Sequence, residues 1–131
     1  MIDSDISYMI YNNIEYKVKF FKDSKNNSPV SEYINGLDVK ERAKVLKYVE
    51  FLREHKGVLD EPYSKHIKGK IRELRVDLSS KRHRIFYFTF IGKNIILLHA
   101  FLKKTEKTTL SEIKIAQENY NNVLSNPKIY E

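Results

Sequence analysis

Residues 71–102 read IRELRVDLSSKRHRIFYFTFIGKNIILLHAFL, and this stretch decides the fold. Leu74, Val76 and Leu78 alternate with Glu73, Arg75 and Asp77, the period-two pattern of a strand with one buried face. Ser79–Ser80–Lys81 is a tight link. Arg84–Ile91 is apolar and aromatic at almost every position. Gly92–Lys93–Asn94 is a hairpin turn, and Ile95–Leu102 is the next strand. Three strands joined so closely predict an antiparallel meander.

Working outward, Ile14–Phe21 alternates as well, with Ile14, Tyr16, Val18 and Phe20 opposed to Glu15, Lys17 and Lys19, and reads as a further strand. Ser28–Pro29 has the form of a helix N-cap followed by proline at the first helical position, and that short helix ends near Gly36. Asp38 and Glu41 form a capping-box-like pair at the start of the next helix. Val45, Val49 and Leu52, widened by Ala43 and Leu46, give this helix its apolar stripe, and Gly57 ends it. Asp60–Glu61–Pro62 is a turn. The last helix begins near Thr109, with Glu112 three residues on, and its stripe is Ile113, Ala116, Tyr120 and Leu124. The order strand, helix, helix, strand, strand, strand, helix predicts an α+β fold: a small, mostly antiparallel sheet with helices packed on one face. Residues 1–13 read as an N-terminal extension, 14–124 as the single domain and 125–131 as a C-terminal tail.

The 131 residues contain no cysteine, which removes disulfides, thiolate catalysis and zinc–thiolate sites. No stretch reads as a signal peptide or a membrane span, so a cytoplasmic protein with no membrane partner is expected. The net charge is +7, and its distribution is uneven. Residues 65–107 hold twelve Lys and Arg against three acids, so they carry +9 and the remainder −2. A positive field concentrated in one third of the chain favours a polyanion as partner, nucleic acid first.

The residue types limit the chemistry. No Gly-rich phosphate loop or nucleophile elbow is present. His66 and His99 stand in different segments without metal-ligand spacing, so no metal or other cofactor is expected. Lys68, Arg75, Arg84, Lys103, Lys104 and Lys107 are expected on the open sheet face and at the strand ends. A cationic cluster of this kind suits cleavage of RNA by its own 2′-hydroxyl. The nucleophile then belongs to the substrate, and the protein supplies orientation, charge stabilisation and proton transfer. Arg is fitted to the charge role because it stays protonated and can grip a phosphate with two donors. Glu73, His99, His66 and the lysines are the available acids and bases. Each has a plain structural alternative: Glu73 as an ion-pair partner of Arg75, His99 as a hydrogen-bonded histidine with the parity of Leu97 and Phe101, His66 as a surface residue. Tyr87 and Phe101 are candidates for stacking on a base.

Several blocks carry a family resemblance. They are Glu61–Pro62–Tyr63–Ser64–Lys65–His66–Ile67–Lys68–Gly69, Glu73–Leu74–Arg75, Arg84–Ile85–Phe86–Tyr87–Phe88, and the run from Leu97 to Thr108 that ends in Lys103–Lys104–Thr105–Glu106–Lys107–Thr108. In this order and spacing, with a helix after Glu112–Ile113, the chain resembles the phage-derived Gp49-like branch of the RelE/ParE superfamily, to which HigB-type toxins belong. The resemblance spans roughly residues 16–124. It implies a RelE-like fold with a curved sheet. It also implies the toxin of a type II toxin–antitoxin pair, an endoribonuclease that cuts translated mRNA in the ribosomal 30S A site without a metal. The implied partner is a cognate antitoxin, commonly a helix-turn-helix DNA-binding protein, so that DNA is met only through it. On this analogy Arg84 stabilises the phosphorane. Lys103, Lys104, His99 and Glu73 are the further catalytic candidates, and Lys68, Arg75, Arg82, Lys107 and His66 contact RNA. Thr109 departs from the family's usual proline, and residues 1–13 are additional. Two rival readings stand beside this one: a ParE-like inhibitor of DNA gyrase on the same fold, and a non-catalytic RNA- or protein-binding module.

Overall fold

A computed structural model of the chain describes residues 15–107 and 109–131; the proposed extension, residues 1–13, lies outside them. Among the described residues five strands form one sheet: β1 (Lys17–Phe20), β2 (Ser64–Lys68), β3 (Ile71–Leu78), β4 (Lys81–Phe90) and β5 (Asn94–Lys103). Their order is β1-β5-β4-β3-β2, antiparallel throughout except for the parallel β1–β5 pair. The expected meander is present as β3–β4–β5. Its two turns place Ser79, Ile91 and Gly92 at positive φ, the conformation that lets a hairpin close without splaying its strands.

The helices are α1 (Pro29–Asn35), α2 (Val39–Glu54) and α3 (Leu110–Ser125). Pro29 opens α1, and Asp38 caps α2 by accepting the Glu41 N–H at 2.9 Å. Glu41 does not return the bond as a capping box would. Its side chain is buried and instead accepts from His83 Nε2 at 2.9 Å. Exposed Ala43 and Leu46 do not widen the stripe of α2. The half-buried Tyr48 does, packing beside Val45, Val49 and Leu52. In α3 the buried stripe member is Val123, one place before Leu124, which is half-exposed.

The α+β class and the mostly antiparallel sheet match the sequence reading, but the helices do not all lie on one face. Val30 and Ile34 of α1 and Val45, Val49 and Leu52 of α2 pack on Leu74, Val76, Ile85, Tyr87, Ile95 and Leu97. On the opposite face, Ala116 and Val123 of α3 pack with Ile71, Phe86, Phe88, Ile96 and Leu98. The cause is in β4, where Ile85–Phe86–Tyr87–Phe88 is apolar on both faces. Leaving Phe86 and Phe88 in water would cost roughly 1.5–3 kcal/mol each, so the second face needs a cover too. Tyr120 supplies part of it, edge-on to Phe88 with ring centroids 4.6 Å apart. Residues 127–130, read as tail, form a 3-10 turn whose Tyr130 is buried in this second core. Among the described residues no helix is long and apolar enough to cross a membrane.

A β-bulge interrupts the β4–β5 ladder. Phe86 pairs with His99, but the next residue, Tyr87, pairs with Leu97, so Leu98 is the extra residue. Strict alternation gives Leu97 and His99 the same face. The bulge separates them: Leu97 enters the core under α1 and α2, whereas His99 lies beside Phe86 on the α3 side.

Candidate functional site

Helix α3 covers only part of its sheet face. Beyond it, the cross-strand register lines up three rungs, and cross-strand partners project to the same side of a sheet. One rung is Lys65, Glu73, Phe86 and His99; the next is Arg75, Arg84 and Phe101; the last is Asp77, Arg82 and Lys103. The sheet thus brings Arg84, Glu73, Arg75, Arg82, Lys103 and His99 together, although they come from three strands.

Arginines directly opposed across a ladder repel each other, and Arg75 faces Arg84. Glu73 answers this repulsion. Its carboxylate is fully buried, 3.1 Å from Arg75 Nε and 4.0 Å from Arg84 Nε. A carboxylate out of water is tolerable only when paired with cations, so acid and arginines hold one another in place. Arg84 is 4% exposed. Its Nη1 donates to Asp77 Oδ1 at 2.7 Å and to the His83 carbonyl at 3.0 Å. Its Nε, also buried, lacks a hydrogen-bond acceptor. A buried donor left unmade costs about 1–3 kcal/mol, so the guanidinium is held in this position at a cost.

Lys103 closes the last rung. Burial pushes its pKa below the usual lysine value; Glu73 acts against this, and the charges of Arg84, Arg75 and Arg82 push it further down. Its ammonium therefore gives up a proton more readily than a free lysine does. His99 stacks on Phe101 with centroids 5.6 Å apart and planes at 18°, and its Nε2 lies 2.5 Å from Glu112 Oε2 at the start of α3. With Nε2–H donating to the carboxylate, Nδ1 is the basic nitrogen of the ring.

The lysine run continues the site. Lys103, Lys104 and Lys107, with Thr105, Thr109, Ser111 and Glu112, line a cavity of about 260 Å³ at the head of α3. Lys68 is exposed at the end of β2, opposite Ile71 and outside the three rungs. His66 does not join them. It pairs with Arg72, which pairs with Tyr87 on the α1–α2 side, and its Nε2 bonds the Gly69 carbonyl at 2.7 Å. Tyr87 cannot stack on a base: it is fully buried, its hydroxyl 2.7 Å from Ser64 Oγ. Phe101, partly exposed on the middle rung, can.

Sequence reasoning missed two partners. Asp77 stands in the sequence only on the polar face of its strand, and here it binds Arg84. Glu112 was read as a capping residue, and here it holds His99. The only signal for the first is Asp77's parity with Glu73 and Arg75 on β3; nothing local announces the second. Among the described residues no group of three or more His, Asp or Glu side chains is arranged to hold a metal ion.

No curated protein matches the chain. The family model described as phage-derived protein Gp49-like (DUF891) matches residues 32–121. This segment runs from within α1 into α3 and contains all three rungs together with Glu112. With more than half of its length matched, and every element of the candidate site inside the match, the chain belongs to the phage-derived Gp49-like family.

Proposed function

We propose that this chain is the toxin of a toxin–antitoxin pair and acts as a metal-independent endoribonuclease on translated mRNA. Membership of the Gp49-like family is consistent with a toxin that pairs with an antitoxin. The observation that carries the nuclease reading is Arg84: a buried guanidinium with an unsatisfied Nε, set on one sheet face among the partly exposed cations Arg75, Arg82 and Lys103.

On this reading the scissile phosphate lies over the rungs. Arg84 and Arg75 face its non-bridging oxygens, and Glu73 keeps both guanidiniums oriented. The substrate 2′-oxygen attacks phosphorus and loses its proton to a base, for which His99 Nδ1, backed by Glu112, is the choice. The bond from phosphorus to the 5′-oxygen breaks, and the leaving oxygen takes a proton from the Lys103 ammonium, whose lowered pKa suits it to donate. The products are a 2′,3′-cyclic phosphate and a 5′-hydroxyl. Phe101 offers a flat apolar surface to a neighbouring base. Lys104, Lys107 and Arg82 neutralise adjacent phosphates. The ribosome presents the mRNA, the cognate antitoxin restrains the toxin, and the cytoplasm is where they meet.

The test is cleavage of mRNA on programmed ribosomes by the purified protein. Arg84→Ala should slow single-turnover cleavage by about 10²–10³-fold, the usual loss for one oriented charge donor. A single 2′-deoxy substitution at the cleaved nucleotide should abolish the cut. Full cleavage of the deoxy substrate would overturn the 2′-hydroxyl mechanism. Intact mRNA accompanied by inhibited DNA gyrase would turn the assignment towards the ParE-like reading.

A further inference from the structure

The two carboxylates that face Arg84 differ in a way its electrostatics alone does not require. Glu73 has no exposed surface, whereas the Asp77 side chain is 60% exposed. A buried carboxylate cannot leave its cations without stranding charge in a medium of low polarity. An exposed one returns to water easily, because exposed ion pairs contribute little net stability. Yet Asp77 makes the shorter contact, 2.7 Å to Arg84 Nη1. It therefore occupies, with an oxyanion, a donor of the arginine at the centre of the rungs.

We infer that Asp77 is a releasable counter-ion whose carboxylate competes with an RNA phosphate for Arg84 and so sets the affinity an RNA must have to engage the site. This rests on reading the three rungs as an RNA site. The exchange is electrostatically balanced. A phosphate can draw on Arg75, Arg84 and Lys103 at once, across two rungs, whereas the aspartate is fixed to its own strand. Asp77 also has a second partner to turn to, since Arg82 lies directly across the ladder. Nη1, the nitrogen that Asp77 holds, is the donor its departure leaves to the incoming oxyanion. Asp77 thus keeps the guanidinium in place while the site is empty and disfavours RNAs that touch Arg84 without the neighbouring cations.

The test uses programmed ribosomes whose message carries 2′-O-methyl riboses at the A-site codon, which cannot be cleaved, and reads the Kd of the labelled protein for this RNA by fluorescence anisotropy. The proteins are the full chain as wild type, Asp77→Asn, Arg84→Gln and the double variant. Asn is nearly isosteric, and the main-chain carbonyl of residue 77, which accepts from Lys44, is untouched. Asp77→Asn should bind about two- to fivefold tighter, the size of a lost exposed ion pair, and the gain should vanish in the Arg84→Gln background. Asp77→Ser should give the same pattern, so that the result does not depend on a hydrogen bond made by Asn. No tightening in either variant would overturn the inference. So would an equal gain with and without Arg84, which would reduce Asp77 to one unit of general charge. Failure of all four proteins to bind RNA would instead remove the reading of the rungs beneath it.

Discussion

Replacing Glu73 with Gln tests how the rungs are held together, without reference to any reaction. The substitution keeps size and one acceptor oxygen for Arg75 but removes the charge. What remains is Arg75 opposite Arg84, with Arg84 5% and Arg75 24% exposed at the side chain. Two unit charges 4 Å apart interact by about 4 kcal/mol at an effective dielectric constant near 20, and breaking buried ion pairs costs roughly 3–5 kcal/mol. For a chain of this size each kcal/mol moves Tm by roughly 3–5 °C, so a fall of roughly 10–20 °C is expected. Circular dichroism melts of wild type and Glu73→Gln measure it. The same melts should show almost no effect for Glu50→Gln, which breaks the solvent-exposed Arg53–Glu50 pair. The loss at Glu73 should persist at high salt, because buried charges are weakly screened. A Tm within about 3 °C of wild type would refute the argument that Glu73 is the anion on which the opposed arginines depend.

Three further outcomes follow from other parts of the molecule. On the proposed mechanism, Glu112→Gln should slow cleavage on programmed ribosomes by about 10²-fold or more while leaving RNA affinity unchanged, since it would disturb the base assigned to His99; a weaker Kd with an unchanged rate would place His99 among binding residues instead. Gly57→Ala should destabilise the fold by about 1–3 kcal/mol, because Gly57 has φ +80° and a Cβ there would meet Thr89 Oγ1 at 2.6 Å; a melt at or above the wild-type temperature would contradict this. Tyr33, hydrogen-bonded to His83 Nδ1, has its pKa pushed up to about 12 by burial and then by Glu41. The unfolded chain loses that proton first, so stability should fall as pH rises from 10 towards 12; urea titrations of wild type and Tyr33→Phe over this window should show a steeper decline in the former.

Much of this architecture was legible because period-two patterning in β3–β5 and period-3.6 stripes in α2 and α3 are strong local signals. β2 was not legible, since Ser64–Lys68 is an edge strand that buries little beyond Ser64 and part of Ile67. The placement of α3 was missed because a helix stripe says that a face is needed, not which one. For the site, Arg84, Lys103, Glu73, Arg75, Arg82 and His99 were named from charge, parity and family pattern, and register brings them to one face. His66 looked equivalent in sequence, yet its ladder position turns it to the other side. The pairings Asp77–Arg84 and Glu112–His99 depend on contacts between elements, which no local pattern encodes.

The extra residue at Leu98 makes β5 two half-strands of opposite phase. The first half places its odd-numbered residues, Ile95 and Leu97, under α1 and α2. The second half turns its odd-numbered residues, His99, Phe101 and Lys103, towards the face that carries Glu73, Arg75 and Arg84. Flattening the bulge with no residue lost would impose strict alternation and swing that trio into the oil of the first core, with Ala100 and Leu102 sent out in their stead. A one-residue change in the Gly92–Asn94 turn, by contrast, leaves this phase untouched. The bulge, rather than the identity of any one residue, sets which way the second half of β5 faces.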